Sequence, residues 1–336
     1  MRTTLLALIL ALSACASPPA DGPEPASAPG IGAGIDAPEY LDVPTTIERA
    51  EDLPIGAFLG EVGSRVQAWT TARVYGDKER ERILGQVLEF ECAKRQRELI
   101  EQLQTGPVRN RKLAAVALGF TNRLNVLQPD NTTRAIDKGA EALGPLLGAI
   151  GDPDAEVSAN ALMGLGILAR PETPLGPVCA ALDGSEEPWR RGNAAFALSA
   201  VLEAAHGHED GIGEDRTSLA RDASLRNLDD SDLSVRAQCA ASLGLVGDAD
   251  SLAHLADYLD DEVTLVGQAA GRAMVRLARE DPTLKGRVAR LLSHRLDLVR
   301  PSRRDVVLTA LVLLAERHLG NDAEVWKDWA QNLPSS

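Results

Sequence analysis

From about residue 46 to the C-terminus, apolar side chains recur at three- and four-residue steps, the spacing that gathers them on one face of an α-helix. Between Asp77 and Gln104 the series Leu84, Val87, Leu88, Cys92, Leu99, Ile100 and Leu103 keeps this period against a charged opposite face, which predicts one long helix. A shorter unit then returns along the chain: an apolar residue, a variable polar pair, two small residues, then a leucine or its like. Instances are 142–169 and 224–248, with related pieces from 106, 188 and 263. With Val108, Val157, Trp189, Val235 and Leu265 taken as equivalent, the intervals are 49, 32, 46 and 30 residues. Those lengths suit paired-helix repeats, two of them carrying insertions.

Local chemistry agrees with that reading. Asp152-Pro153 and Asp281-Pro282 each offer a capping oxygen followed by a ring that presets φ at a first helical position. Ser302 with Asp305 resembles a capping box, Asp replacing the usual Glu. The pairs Ala114-Ala115, Ala194-Ala195, Ala240-Ala241 and Ala269-Ala270 let helices approach closely. One such helix pair cannot bury its apolar face, so the units must stack. Aromatics are only 3% of the chain, which disfavours strands. The predicted class is all-α.

Asp232-Leu233-Ser234-Val235-Arg236, followed by Ala240 and Leu243, resembles the HEAT-repeat family, including its short PBS-lyase HEAT-like units, at the inter-helix aspartate and the following Val-Arg. Asp152 to Val157 matches the same loop, with Ser158 where arginine is usual. The resemblance spans roughly 80–320 and implies a right-handed α-α superhelix. It says little about activity, because such repeats serve many binding tasks.

Residues 1–15, MRTTLLALILALSAC, place Arg2 before an apolar run too short to span a bilayer as a helix. Leu12-Ser13-Ala14-Cys15 then resembles the lipobox of bacterial lipoproteins. That likeness implies a diacylglycerol on Cys15, cleavage before it and fatty acylation, such as palmitate, of the new amine. Ala16 stands where aspartate would favour retention at the inner membrane, so the resemblance implies the outer membrane, facing the periplasm or the cell surface. Proline, alanine, glycine and serine dominate the stretch after Cys15, a composition that cannot offset its ordering entropy by burial. The organisation expected is a signal peptide at 1–14, a lipid-anchored linker at 15–45, an N-terminal helical segment at 46–105, the solenoid at 106–320 and a capping helix at 321–336.

Charge narrows the partners. With 35 Lys and Arg against 49 Asp and Glu, the net charge of −14 repels nucleic acid. The expected partner is a protein or peptide of the cell envelope. Arg109, Arg190, Arg191, Arg236 and Arg272 fall on or near second helices, where a basic groove would take carboxylates or phosphates. Against this stands a ladder of pairs within each repeat, such as Arg190 with Glu187 and Arg236 with Asp232 at helical spacing. Trp326 and Trp329, three apart, either cover the open end of the solenoid or meet a partner. His206 and His208 beside Glu209 and Asp210 form a metal candidate without a third ligand group at a recognisable spacing. Beyond Cys15, the three cysteines Cys92, Cys179 and Cys239 lack CxxC spacing and read as small buried side chains. No GxSxG, HExxH, P-loop or GxGxxG occurs. The expected function is therefore a non-catalytic scaffold or adaptor without a cofactor. The alternatives are an enzyme, bilin-lyase-like or metal-dependent at His206 and His208, and a purely structural envelope lipoprotein.

Overall fold

The computed structural model describes residues 53–127 and 133–334. The assigned signal peptide, Cys15 and the linker at 15–45 lie outside them. Within them the fold is an all-α solenoid with one small hairpin.

Two helices, α1 (Ile55–Val74) and α2 (Lys78–Lys94), pack against each other at the N-terminal end. Six helix pairs follow: α3 (Gln96–Thr105) with α4 (Val108–Gly119), α5 (Gly139–Ala149) with α6 (Ala155–Leu168), α7 (Leu175–Gly184) with α8 (Pro188–His206), α9 (Glu214–Arg226) with α10 (Leu233–Val246), α11 (Ser251–Asp257) with α12 (Thr264–Glu280), and α13 (Lys285–Leu298) with α14 (Arg304–Ala315). The even-numbered helices α4 to α14 stack in series as an inner layer. Helix α15 (Ala323–Gln331) packs on α13 and closes the C-terminal end.

The inner layer is close-packed because its contact positions are small. A Cβ added at Gly164 of α6 would stand 2.4 Å from the Ala115 carbonyl oxygen of α4, and one added at Gly119 would stand 2.8 Å from the Gly164 carbonyl oxygen. Gly244 of α10 would meet Cα of Ala273 on α12 at 2.9 Å. All three of these neighbours are backbone atoms, which cannot move aside as a flexible side chain could. Gly164→Ala is therefore expected to cost about 1–3 kcal/mol despite its gain in helix propensity. Urea unfolding checks this, and unchanged or raised stability would contradict the contact.

The structure departs from the sequence reading in four places. The expected long helix from Asp77 to Gln104 breaks at Arg95, which leaves helical geometry at φ −103° and ψ 17°. Its guanidinium donates to the Leu53 carbonyl at 2.8 Å, pairs with Glu98, and lies over the Phe58 ring. Consequently α3, inside the segment read as 46–105, packs against α4 as the first helix of the stack. Asp152 does not cap α6. Asp154 does, accepting from the backbone N–H of Glu156 and Val157, while Asp152 accepts from the N–H of Asp154. The Ser302 capping box does not form. Pro301 opens a 3₁₀ turn over Pro301–Arg303, and α14 starts beyond it without a side-chain cap. Finally, β1 (Arg123–Leu127) and β2 (Thr133–Asp137) pair antiparallel, with Arg123 opposite Asp137 and Leu127 opposite Thr133, where helix was expected.

Asp281 does cap as expected, accepting from the N–H and hydroxyl of Thr283. The cysteines Cys92, Cys179 and Cys239 are free and buried. Burial pushes the Cys92 and Cys239 thiols well above their ordinary range and Cys179 up to about 11, so none is a ready nucleophile. Among the described residues, no helix is long and apolar enough to cross a membrane.

Candidate functional site

The inner layer leaves an open groove of about 990 Å³ that runs from α1 and α2 to α14. Its lining comes from α1, α2, the even-numbered helices and the segments just after α4 and α6; none comes from α3, α5, α7, α9, α11 or α13. Small residues line much of it, among them Gly119, Gly166, Ala200, Ala204, Ala241 and Ala269, with Ile167, Phe196 and Leu313 beside them. At the N-terminal end Trp69 meets Phe120 edge-on at 5.2 Å, and the Arg73 guanidinium sits over the Trp69 ring. Burial lowers the pKa of Arg73, opposed by Glu81. Towards the C-terminal end α12 contributes Arg272, Arg276 and Arg279. Arg276 pairs with Glu203 across the groove at 2.6 Å, and Arg279 donates to the Leu313 carbonyl at 3.1 Å. The Glu280 carboxylate lies 3.3 Å from the His206 imidazole. Arg272 is exposed and has no partner among the described residues.

Of the arginines singled out in the sequence, Arg272 alone lies in this groove. Arg191 and Arg236 stand in the first turn of their helices and hold successive units together. Each spreads its fork over an aspartate of the next inter-helix turn: Arg191 donates from Nε and Nη2 to Asp230 at 2.6 and 2.8 Å, and Arg236 to Asp261 at 3.0 and 3.1 Å. Arg111 does the same to Asp152 at 3.0 and 3.1 Å. The remaining nitrogen of each donates to its own turn: Arg191 to the Ser185 carbonyl, Arg236 to that of Asp230 and Arg111 to that of Gly106. Every receiving aspartate also accepts the N–H two residues on, from Asp154, Asp232 and Val263. The pairs therefore run between repeats, whereas helical spacing suggested Arg190 with Glu187 and Arg236 with Asp232. Arg190 reaches the Ile150 carbonyl instead. The rung between α6 and α8 lacks both members: Ser158 holds the arginine position and Ser185 the aspartate position. The Ser158 hydroxyl donates to Ile150, as Arg190 does. Arg109 is exposed on α4 and outside the groove.

These rungs tie stability to pH. Burial raises the Asp230 pKa, but Arg191, the Asp232 N–H and Ser231 outweigh it and hold the carboxyl below its ordinary value. A depressed folded-state pKa stabilises above the unfolded value and is lost as pH falls through the folded one. The rung is thus expected to weaken below about pH 4, near the unfolded aspartate value. Thermal unfolding between pH 6 and 3 should show Asp230→Asn less acid-sensitive than the parent; parallel profiles would contradict the assignment.

Trp326 is fully buried and donates from Nε1 to the Gly320 carbonyl at 2.8 Å, while half-buried Trp329 meets it edge-on at 5.7 Å. The buried member of the pair is a plug of the solenoid end and presents no face to a partner. His208 lies near Asp210 at 3.4 Å, and His206 turns to Glu280. The two imidazoles thus have different neighbours, and no group of three or more metal-ligating side chains occurs among the described residues. The sequence reading missed Trp69, Arg73, Arg276, Arg279 and the alanine floor. A signal existed in the spacing of Arg272, Arg276 and Arg279 on one helical stripe.

No protein-family model and no curated protein matches the sequence. Among solved structures the chain is similar to the crystal structure of an engineered protein from the Northeast Structural Genomics Consortium, at 18% identity and a TM-score of 0.45, covering 65% of this chain and 96% of that one.

Proposed function

We propose that the protein is an extracytoplasmic lipoprotein, anchored through Cys15, whose HEAT-like solenoid serves as a non-catalytic scaffold for a protein or peptide of the cell envelope. The observation that carries this reading is the groove: long, open, floored by small side chains and lined by the inner layer. The small side chains along the lining let an occupant's backbone approach closely at those positions, and stacked helices hold that surface in fixed shape. The aspartate–arginine rungs and the regular pairing of helices support the HEAT-like reading. The lipobox-like run supports the anchor, since several acyl chains on one residue hold a protein stably where one is marginal.

Filling the groove tests the scaffold. Ala200 and Ala204 are both half-buried groove residues, and tryptophan at either position should abolish the adduct captured by chemical crosslinking in intact envelopes. Leu219→Trp, on exposed α9 surface, should leave capture unchanged. Equal capture by all variants sinks the scaffold reading. The anchor is tested separately: Cys15→Ser should end fatty-acid labelling and release the protein from the membrane pellet, and continued labelling of that variant would overturn it.

A further inference from the structure

Arg272 lines the groove from α12. It is the exposed groove arginine without an ion-pair or hydrogen-bond partner among the described residues. Its neighbours on α12 are differently placed: Arg276 is paired with Glu203, and Arg279 reaches only a main-chain oxygen. Of the other groove carboxylates, Glu280 faces His206. This end of the groove carries Arg272, Arg276 and Arg279 against the carboxylates Glu203 and Glu280, an excess of one positive charge, in a chain whose net charge is −14. A guanidinium recognises a carboxylate through two parallel hydrogen bonds, and such charge-assisted bonds are about twice as strong as neutral ones.

Spacing narrows the class further. Arg272 and Arg279 are seven residues apart on a helix, the same face, and about 10 Å apart along its axis. In an extended polyproline-II segment three residues advance about 9 Å and complete one turn. Acidic side chains at every third position of such a segment would meet both arginines while its small residues lie on the alanine floor.

We infer that the C-terminal half of the groove binds an extended acidic peptide segment of a partner protein, with Arg272 as its anchor and Arg279 as the second contact. This rests on the groove being the partner site, and adds the chemical class of what enters it.

The test uses the detergent-solubilised full chain and a fluorescent twelve-residue peptide, Ala-Pro-Glu repeated four times, with Ala-Pro-Lys repeated four times as the control. Anisotropy titrations at low salt should show binding of the acidic peptide and none of the basic one. Arg272→Glu should weaken it at least tenfold, whereas Arg109→Glu, the same charge change outside the groove, should change it less than twofold. Absence of binding, equal binding of both peptides, or equal loss in the two variants would overturn the inference. Retained crosslinking from the groove alongside any of those results would leave the scaffold standing and remove only the acidic-peptide class. Loss of groove crosslinking would remove the scaffold itself.

Discussion

Replacing Trp326 by alanine is expected to lower the unfolding free energy by about 3–5 kcal/mol, the usual cost of deleting a fully buried large aromatic. The side chain is wholly shielded, holds the Gly320 carbonyl through its indole N–H and stacks edge-on with Trp329. Gly320 takes a φ of +98°, which only glycine adopts without strain, so the hydrogen bond also fixes the turn that swings α15 back over α13. Trp326→Phe keeps most of the packing and loses the hydrogen bond, and should fall between the parent and the alanine variant. Urea unfolding followed by circular dichroism reads all three. A loss below about 1 kcal/mol for alanine would mean that α15 does not plug the solenoid.

Arg236→Leu is expected to cost about 3–5 kcal/mol, because it leaves the Asp261 carboxylate without its cation in a site where the two side chains are only 9% and 7% exposed. The cost comes from the stranded charge more than from the lost pair. Combining Arg236→Leu with Asp261→Asn removes that charge while keeping an acceptor for the Val263 N–H, and should recover at least half of the loss. The chain already shows that a rung can be dispensed with when both members go: Ser158 and Ser185 occupy the two positions between α6 and α8. A double variant no more stable than the single one would show that the arginine acts through packing alone.

The residues explain what could be read in advance. The three- and four-residue periodicity and the alanine pairs reported helix stacking faithfully, because burial of one face and close approach are both local demands on sequence. Asp232-Leu233-Ser234-Val235-Arg236 gave the turn and the helix start. It could not give the partner of Arg236, since Asp261 lies 25 residues on and nothing in local spacing points across a turn to the next unit. The same blindness hid the distinction between Arg191, tied to Asp230, and Arg272, left free in the groove. The break at Arg95 has no glycine or proline to announce it, and the carbonyl its guanidinium reaches, Leu53, lies 42 residues back along the chain. The hairpin was legible in part, because Val126, Thr133 and Ile136 flank Pro129-Asp130-Asn131, a turn-forming run between β-favouring residues. Its shortness inside a helical chain masked it.

Placing a photo-crosslinking amino acid at Ala200, in the groove floor, and at Leu219, on the exposed face of α9, tests the scaffold most directly. Irradiation of intact envelopes should give a discrete protein adduct from position 200 and none from position 219, and Arg272→Glu should diminish the first. Adducts of equal yield and identity from both positions, or none from position 200, would contradict the assignment of the groove as the working surface of the solenoid.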